Sequence, residues 1–239
     1  MCRGKASCSE LAIDPSEWDR FAPLRPPLWF AEALHIFEQA VELASIGDLD
    51  KSRTALVRTR EGELRQFFVE HGQKAGRSRM IAQGLKRTPN PNIALDPVRR
   101  VSAELTREVL DRDRHQCRYC GVRVVARPVL VAYSELMGRN GDGSEVFRVV
   151  RSVAKRHGIV LAFRANVDHL VPHSNGGRTS KDNLVTSCCS CNYGKASYTL
   201  GRLRLDDPRS RPPMESSPWR GLTEHLNPLR LAVRGRQKA

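Results

Sequence analysis

Residues 166–197 read NVDHLVPHSNGGRTSKDNLVTSCCSCNYGKAS, and their reading decides the fold. VDHLVP reads as a short strand. Neighbouring side chains on a strand point to opposite faces, so a bend at the strand end is needed to aim both Asp168 and His169 at one site. HSNGGRTSKD is a glycine-containing loop that returns the chain. NLVTS makes a second short strand, and CCSCNYGKAS forms the first turns of a helix.

Working outward, the helix start carries CCSC (188–191), and CRYC stands upstream at 117–120. Each holds a C-x-x-C. Two intervening residues let both thiolates reach one ion from a tight turn. Cys117, Cys120, Cys188 and Cys191 together complete the tetrahedral shell of a structural Zn²⁺, with no open position for water. Cys189 lies inside the second pair and is expected to point elsewhere. The other cysteines are Cys2 and Cys8, which makes seven. An odd count without a secretion signal argues against a disulfide framework.

Asp168-His169, then Asn183, then Asn192, interleaved with the second cysteine pair, resembles the zinc-containing branch of the HNH endonucleases. RDRHQCRYCG (112–121) is similar to that family's lead-in. The resemblance spans about residues 105–198, and Asn192 stands where the family has its final His. It implies an α+β chain with a strand–strand–helix (ββα-metal) nuclease module. It also implies a metal-dependent enzyme that hydrolyses DNA phosphodiester bonds. Asp168 and Asn192 would ligate one divalent cation as hard oxygen donors suited to Mg²⁺ or Mn²⁺. His169 would be the general base that deprotonates water, since imidazole titrates near neutral pH. Asn183 would brace the loop and hold His169. Lys195, three residues past Asn192, and Arg178 in the loop are candidates for phosphate contacts.

The rest of the chain is read from pattern. Residues 28–46 read as a helix, with Leu28, Ala31, Leu34 and Phe37 recurring and Gly47 as its stop. Residues 51–71 read as a second amphipathic helix. With the Pro-rich start, residues 1–70 form an N-terminal, mainly helical region. Residues 71–100 hold seven basic side chains and one acidic, and read as a basic linker or arm. Residues 102–114 read as a helix capped by Ser102. The nuclease domain is placed at 101–200, with an insertion at about 122–163. Within it VRVVARPVLVAY and GIVLAFRANVDHLVP read as strands, and a basic helix is expected to present Arg148, Arg151 and Lys155 on one face toward DNA. Residues 201–239, rich in Arg and Pro, read as an extended tail on the surface.

The net charge is +14, from 40 basic and 26 acidic residues. It is uneven: residues 1–70 carry 9 basic and 12 acidic side chains, and the remainder 31 and 14. Such a basic surface favours a polyanion, here double-stranded DNA. No run is apolar enough to span a bilayer, and the expected setting is cytoplasmic. Two other readings remain open at this stage: a zinc-stabilised DNA-binding module without cleavage activity, and a thiol redox protein using one C-x-x-C.

Overall fold

The computed structural model describes residue 17 and residues 19–72, 93–139, 145–213 and 218–236. The greater part of the basic arm, 73–92, lies outside the described residues, as do residues 140–144, where NGDG reads as a turn.

Helix α1 (Trp29–Ser45) buries Phe30, Ala33, Leu34, Phe37, Ala40, Val41 and Ala44, a stripe at helical spacing. It stops where expected, at Gly47, whose φ of +90° suits the left-handed turn after a helix. The single helix expected over 51–71 is instead two, α2 (Leu49–Val57) and α3 (Glu61–Phe67), followed by one wide turn at Phe68–Gly72. The break falls at Thr59 and Arg60. The buried Thr59 hydroxyl donates back to the Leu56 carbonyl, and Arg60 takes a left-handed conformation with its guanidinium over the Trp29 ring.

Helix α4 (Ala103–Arg112) begins as the sequence indicates, with Ser102 Oγ accepting from Leu105 N at 3.0 Å. The next segment corrects the strand reading. VRVVARPVLVAY leads into a helix, α5 (Arg127–Met137). Pro128 lies in its first turn, where a missing N–H costs nothing. Val129, Leu130, Ala132, Tyr133, Leu136 and Met137 are buried in a helical repeat that the β-branched content of the stretch masks. GIVLAF is likewise helical, as α6 (Gly158–Phe163); all six residues are buried, so no periodicity shows.

The basic helix expected after residue 145 is not formed. Residues 146–152 are irregular, and only a single tight turn follows at Val153–Lys155. The reason lies in Arg156, which is buried and donates to the carbonyls of Val150 and Arg151, while His157 N donates to Arg148 O. Those carbonyls are taken by a looped-back chain rather than by amides one turn on. Arg148, Arg151 and Lys155 therefore share no helix face.

Strands β1 (Asn166–His169) and β2 (Leu184–Ser187) pair antiparallel, with Asp168 opposite Val185 and His169 opposite Leu184. Helix α7 (Cys189–Lys195) follows directly. The last described helix, α8 (Leu226–Arg236), packs on α5. This corrects the surface-tail reading: Leu203, Leu205, Trp219, Leu222 and Leu229 are buried, and Trp219 Nε1 donates to Val124 O at 2.8 Å. Sparse apolar residues between Arg and Pro suffice because Trp219, Leu222 and Leu229 join the core shared with the preceding helices.

One continuous apolar core joins these parts, from Ala22 through α1, α5 and α6 to Leu229. Phe30 meets Phe163 edge-on at 5.4 Å, and Phe37 stacks on Phe147. Among the described residues no helix is long and apolar enough to cross a membrane.

Candidate active site

The cysteine quartet is assembled by two turns. In the first, Cys117 N donates to Val122 O and Gly121 N to Cys117 O, with Gly121 at a φ of +77°. In the second, Cys188 caps α7 and its Sγ accepts from Cys191 N. The knuckle is tied to β2 by Arg118 N donating to Thr186 O. The four sulfurs lie within 4.8 Å of one another, and Cys120 Sγ and Cys188 Sγ are 3.8 Å apart. A tetrahedral ion with Zn–S bonds of about 2.3 Å has sulfur–sulfur edges of about 3.8 Å, so the quartet can hold a metal such as zinc. Cys189 turns away, into a small apolar cluster with Phe68 and Leu161.

Asp168 and His169 come together at an open cleft of about 370 Å³ between β1, the following loop and the end of α7. Asp168 is buried. Its Oδ2 accepts from Tyr119 Oη at 2.7 Å and lies 3.2 Å from Lys195 Nζ. Burial pushes the Asp168 carboxyl up, against the opposing pull of Lys195 and Tyr119. Its Oδ1 takes no hydrogen bond from any described residue and remains available to a cation.

His169 is half-buried, and burial pushes its imidazole below the ordinary value. Its Nε2 lies 3.1 Å from Thr179 Oγ1. Asn183 sits where a loop brace should: Oδ1 accepts from Val171 N, and Nδ2 donates to the carbonyls of Val171 and Arg178. The closeness of this loop explains Gly177, where a Cβ would fall 1.8 Å from Val171 O. Asn192 is half-buried on α7, one turn before Ala196 at the cleft wall. Its side chain bonds to none of the described residues.

Lys195, expected at a phosphate, is instead fully buried beneath β1 and donates to His169 O at 2.7 Å. A shared helix face with Asn192 does not reveal which way a long side chain folds. Arg178 is exposed and borders a neighbouring cavity of about 340 Å³. Arg148, Arg151 and Lys155 do not line the cleft.

The sequence reading singled out none of Tyr119, Leu95, Asp96, Arg99 and Thr179, which the structure brings to the site. Tyr119, between the first two cysteines, reaches from the knuckle to Asp168. Residues 93–99, the end of the basic arm, form a strap across the cleft. Leu95 and Arg99 line it, and Asp96 bonds the loop through Thr179 N at 2.7 Å. Arg99 is exposed and makes no ion pair with any described residue. Only the basic composition of the arm hinted at a site there.

This arrangement forms a small strand–strand–helix module beside the cysteine quartet. Residues 158–197 match the family model described as HNH endonuclease, a stretch that holds both strands, the following helix and Cys188 and Cys191 of the quartet. No curated protein and no solved structure matches the chain.

Proposed function

We propose that the protein is a metal-dependent endonuclease that hydrolyses DNA phosphodiester bonds. The observation that carries this is the Asp168–His169 pair at the wall of an open cleft, beside Arg99, which makes no ion pair with any described residue, and within a stretch that matches the HNH family model.

His169 acts as the general base. A half-buried imidazole held below its ordinary pKa is neutral at physiological pH and ready to accept a proton from water. Asn183 fixes the loop whose Thr179 holds His169. Asp168 Oδ1 and the Asn192 amide oxygen are hard donors that fit Mg²⁺ or Mn²⁺, and a cation beside the buried carboxylate offsets its desolvation. When bound, such an ion stabilises negative charge on the phosphate and the leaving oxygen. The cysteine quartet holds Zn²⁺ as a structural staple between the knuckle and α7. Arg99 contacts a phosphate at the cleft, and the net charge of +14 favours the duplex as a whole.

The test is supercoiled plasmid incubated with the protein in Mg²⁺, in Mn²⁺ or without divalent cation. Nicking or linearisation is expected only with added cation. His169→Ala is expected to lower the rate by about 10²-fold or more, with DNA affinity by fluorescence anisotropy unchanged. Undiminished cleavage by this variant rejects the assignment of the base. Binding without cleavage by the unmodified protein under every cation leaves a DNA-binding module instead.

A further inference from the structure

The strap of residues 93–99 does more than cover the cleft. Asp96 staples it to the catalytic loop, with Oδ1 accepting from Val98 N at 2.8 Å and Oδ2 from Thr179 N at 2.7 Å. A second tie runs from His173 Nε2 to Asp96 O at 2.7 Å. With the strap so placed, the Val98 carbonyl meets the Thr179 hydroxyl. A carbonyl oxygen can only accept, and a hydroxyl has one proton. Thr179 Oγ1 therefore spends its proton on Val98 and faces His169 Nε2 with a lone pair, at 3.1 Å.

We propose that Thr179, locked by the strap, is a positioning residue that holds the His169 proton on Nε2 and leaves Nδ1 as the nitrogen that accepts from water. The proposal rests on His169 being the base. A neutral imidazole carries one N–H, and the partner of one nitrogen fixes the role of the other. Nδ1 has no hydrogen-bond partner among the described residues. When Nδ1 takes a proton, the Nε2–H···Oγ1 bond is kept, so no partner has to reorient during the step. Residues some seventy positions before His169 thereby belong to the site.

The experiment uses the full chain, free of added divalent cation, labelled with ¹⁵N-histidine. The His169 ring resonances are identified by their loss in His169→Ala, and the tautomer is read from the two ring nitrogen shifts at a pH where the ring is neutral. The unmodified protein and Thr179→Ser should both show the Nε2–H form. Thr179→Val keeps the shape and loses the acceptor, so its ring should move to a mixture of tautomers. In plasmid cleavage Thr179→Val should lose roughly tenfold or more in kcat with KM little changed, and Thr179→Ser should restore it. An Nδ1–H ring in the unmodified protein, or the same tautomer in Thr179→Val, overturns the proposal. Undiminished cleavage by His169→Ala would instead remove the base assignment while leaving the tautomer result to stand.

Discussion

At the scale of single residues, burial decides roles that residue type leaves open. Lys195 is the clearest case. Its Nζ has no exposure, and its partners are a buried carboxylate and a backbone carbonyl. Lys195→Met should cost about 3 kcal/mol or more, because it strands Asp168 in a buried site. Urea denaturation would show this, and an unchanged midpoint would mean that the pair is solvated. His157 gives a pH effect. Its Nδ1 caps α6 by accepting from Ile159 N, which requires the neutral ring. Burial, with Arg148 and Arg65 nearby, pushes its pKa down to about 3, although the Glu61 carboxylate stands 3.6 Å from Nε2. An unfolded histidine titrates near 6.5. The stabilisation is thus complete above about pH 6.5 and is lost as pH falls toward 3, at up to about 1.4 kcal/mol per pH unit. Denaturation series at pH 7, 6 and 5 should show this slope, and His157→Asn, which keeps a capping acceptor, should lessen it. Equal slopes in both proteins would exclude His157 as the source.

At the scale of elements, the sequence was most legible where chemistry and spacing coincide. Both strands of the module, the helix from Cys189 and the quartet follow from residues 166–197 and the upstream CRYC. So do α1 with its Gly47 stop and α4 with its Ser102 cap. The failures have separate causes. In α6 every residue is buried, so the contrast that marks a helix is missing, and in α5 the β-branched residues mask the helical repeat and suggest a strand. The loop at 146–152 fails differently, since a buried arginine from outside the segment takes its carbonyls. For the quartet, replacing Cys117, Cys120, Cys188 or Cys191 by Ser should lower the zinc content and the thermal midpoint together. Metal analysis beside calorimetry would check this, and full zinc content in Cys188→Ser would refute the four-thiolate site. Cys189→Ala should leave zinc content unchanged, since its thiol faces Phe68 and Leu161.

At the scale of the whole molecule, parts that read as separate regions share one core. The helices of the N-terminal region pack on α5 and α6, and the end of the basic arm reaches the cleft. These contacts were invisible in the sequence because they join residues far apart, through side chains unremarkable in their own neighbourhoods. The C-terminal segment tests the idea of a single core. Ending the chain at residue 217 removes Trp219, Leu222 and Leu229, all buried. At about 1.5–3 kcal/mol for each side chain, the loss is on the order of 5 kcal/mol, or about 10 °C in Tm. A truncated protein that melts with the full chain would show that this segment is an ornament on the surface.

Tyr119 carries a last consequence. It stands between two ligands of the quartet and is hydrogen-bonded to Asp168. If the thiolates release their ion, the turn that holds Tyr119 loses its anchor and Asp168 loses a partner. On the proposed function, chelation would therefore act at two places at once. A strong chelator followed by magnesium alone would return the cleft its cation but not its geometry, and activity would come back only when zinc is supplied as well. Loss of thiol-bound zinc under oxidation would silence the cleft by the same route, and an enzyme of this build would then depend on the redox state of its cysteines as well as on the supply of magnesium.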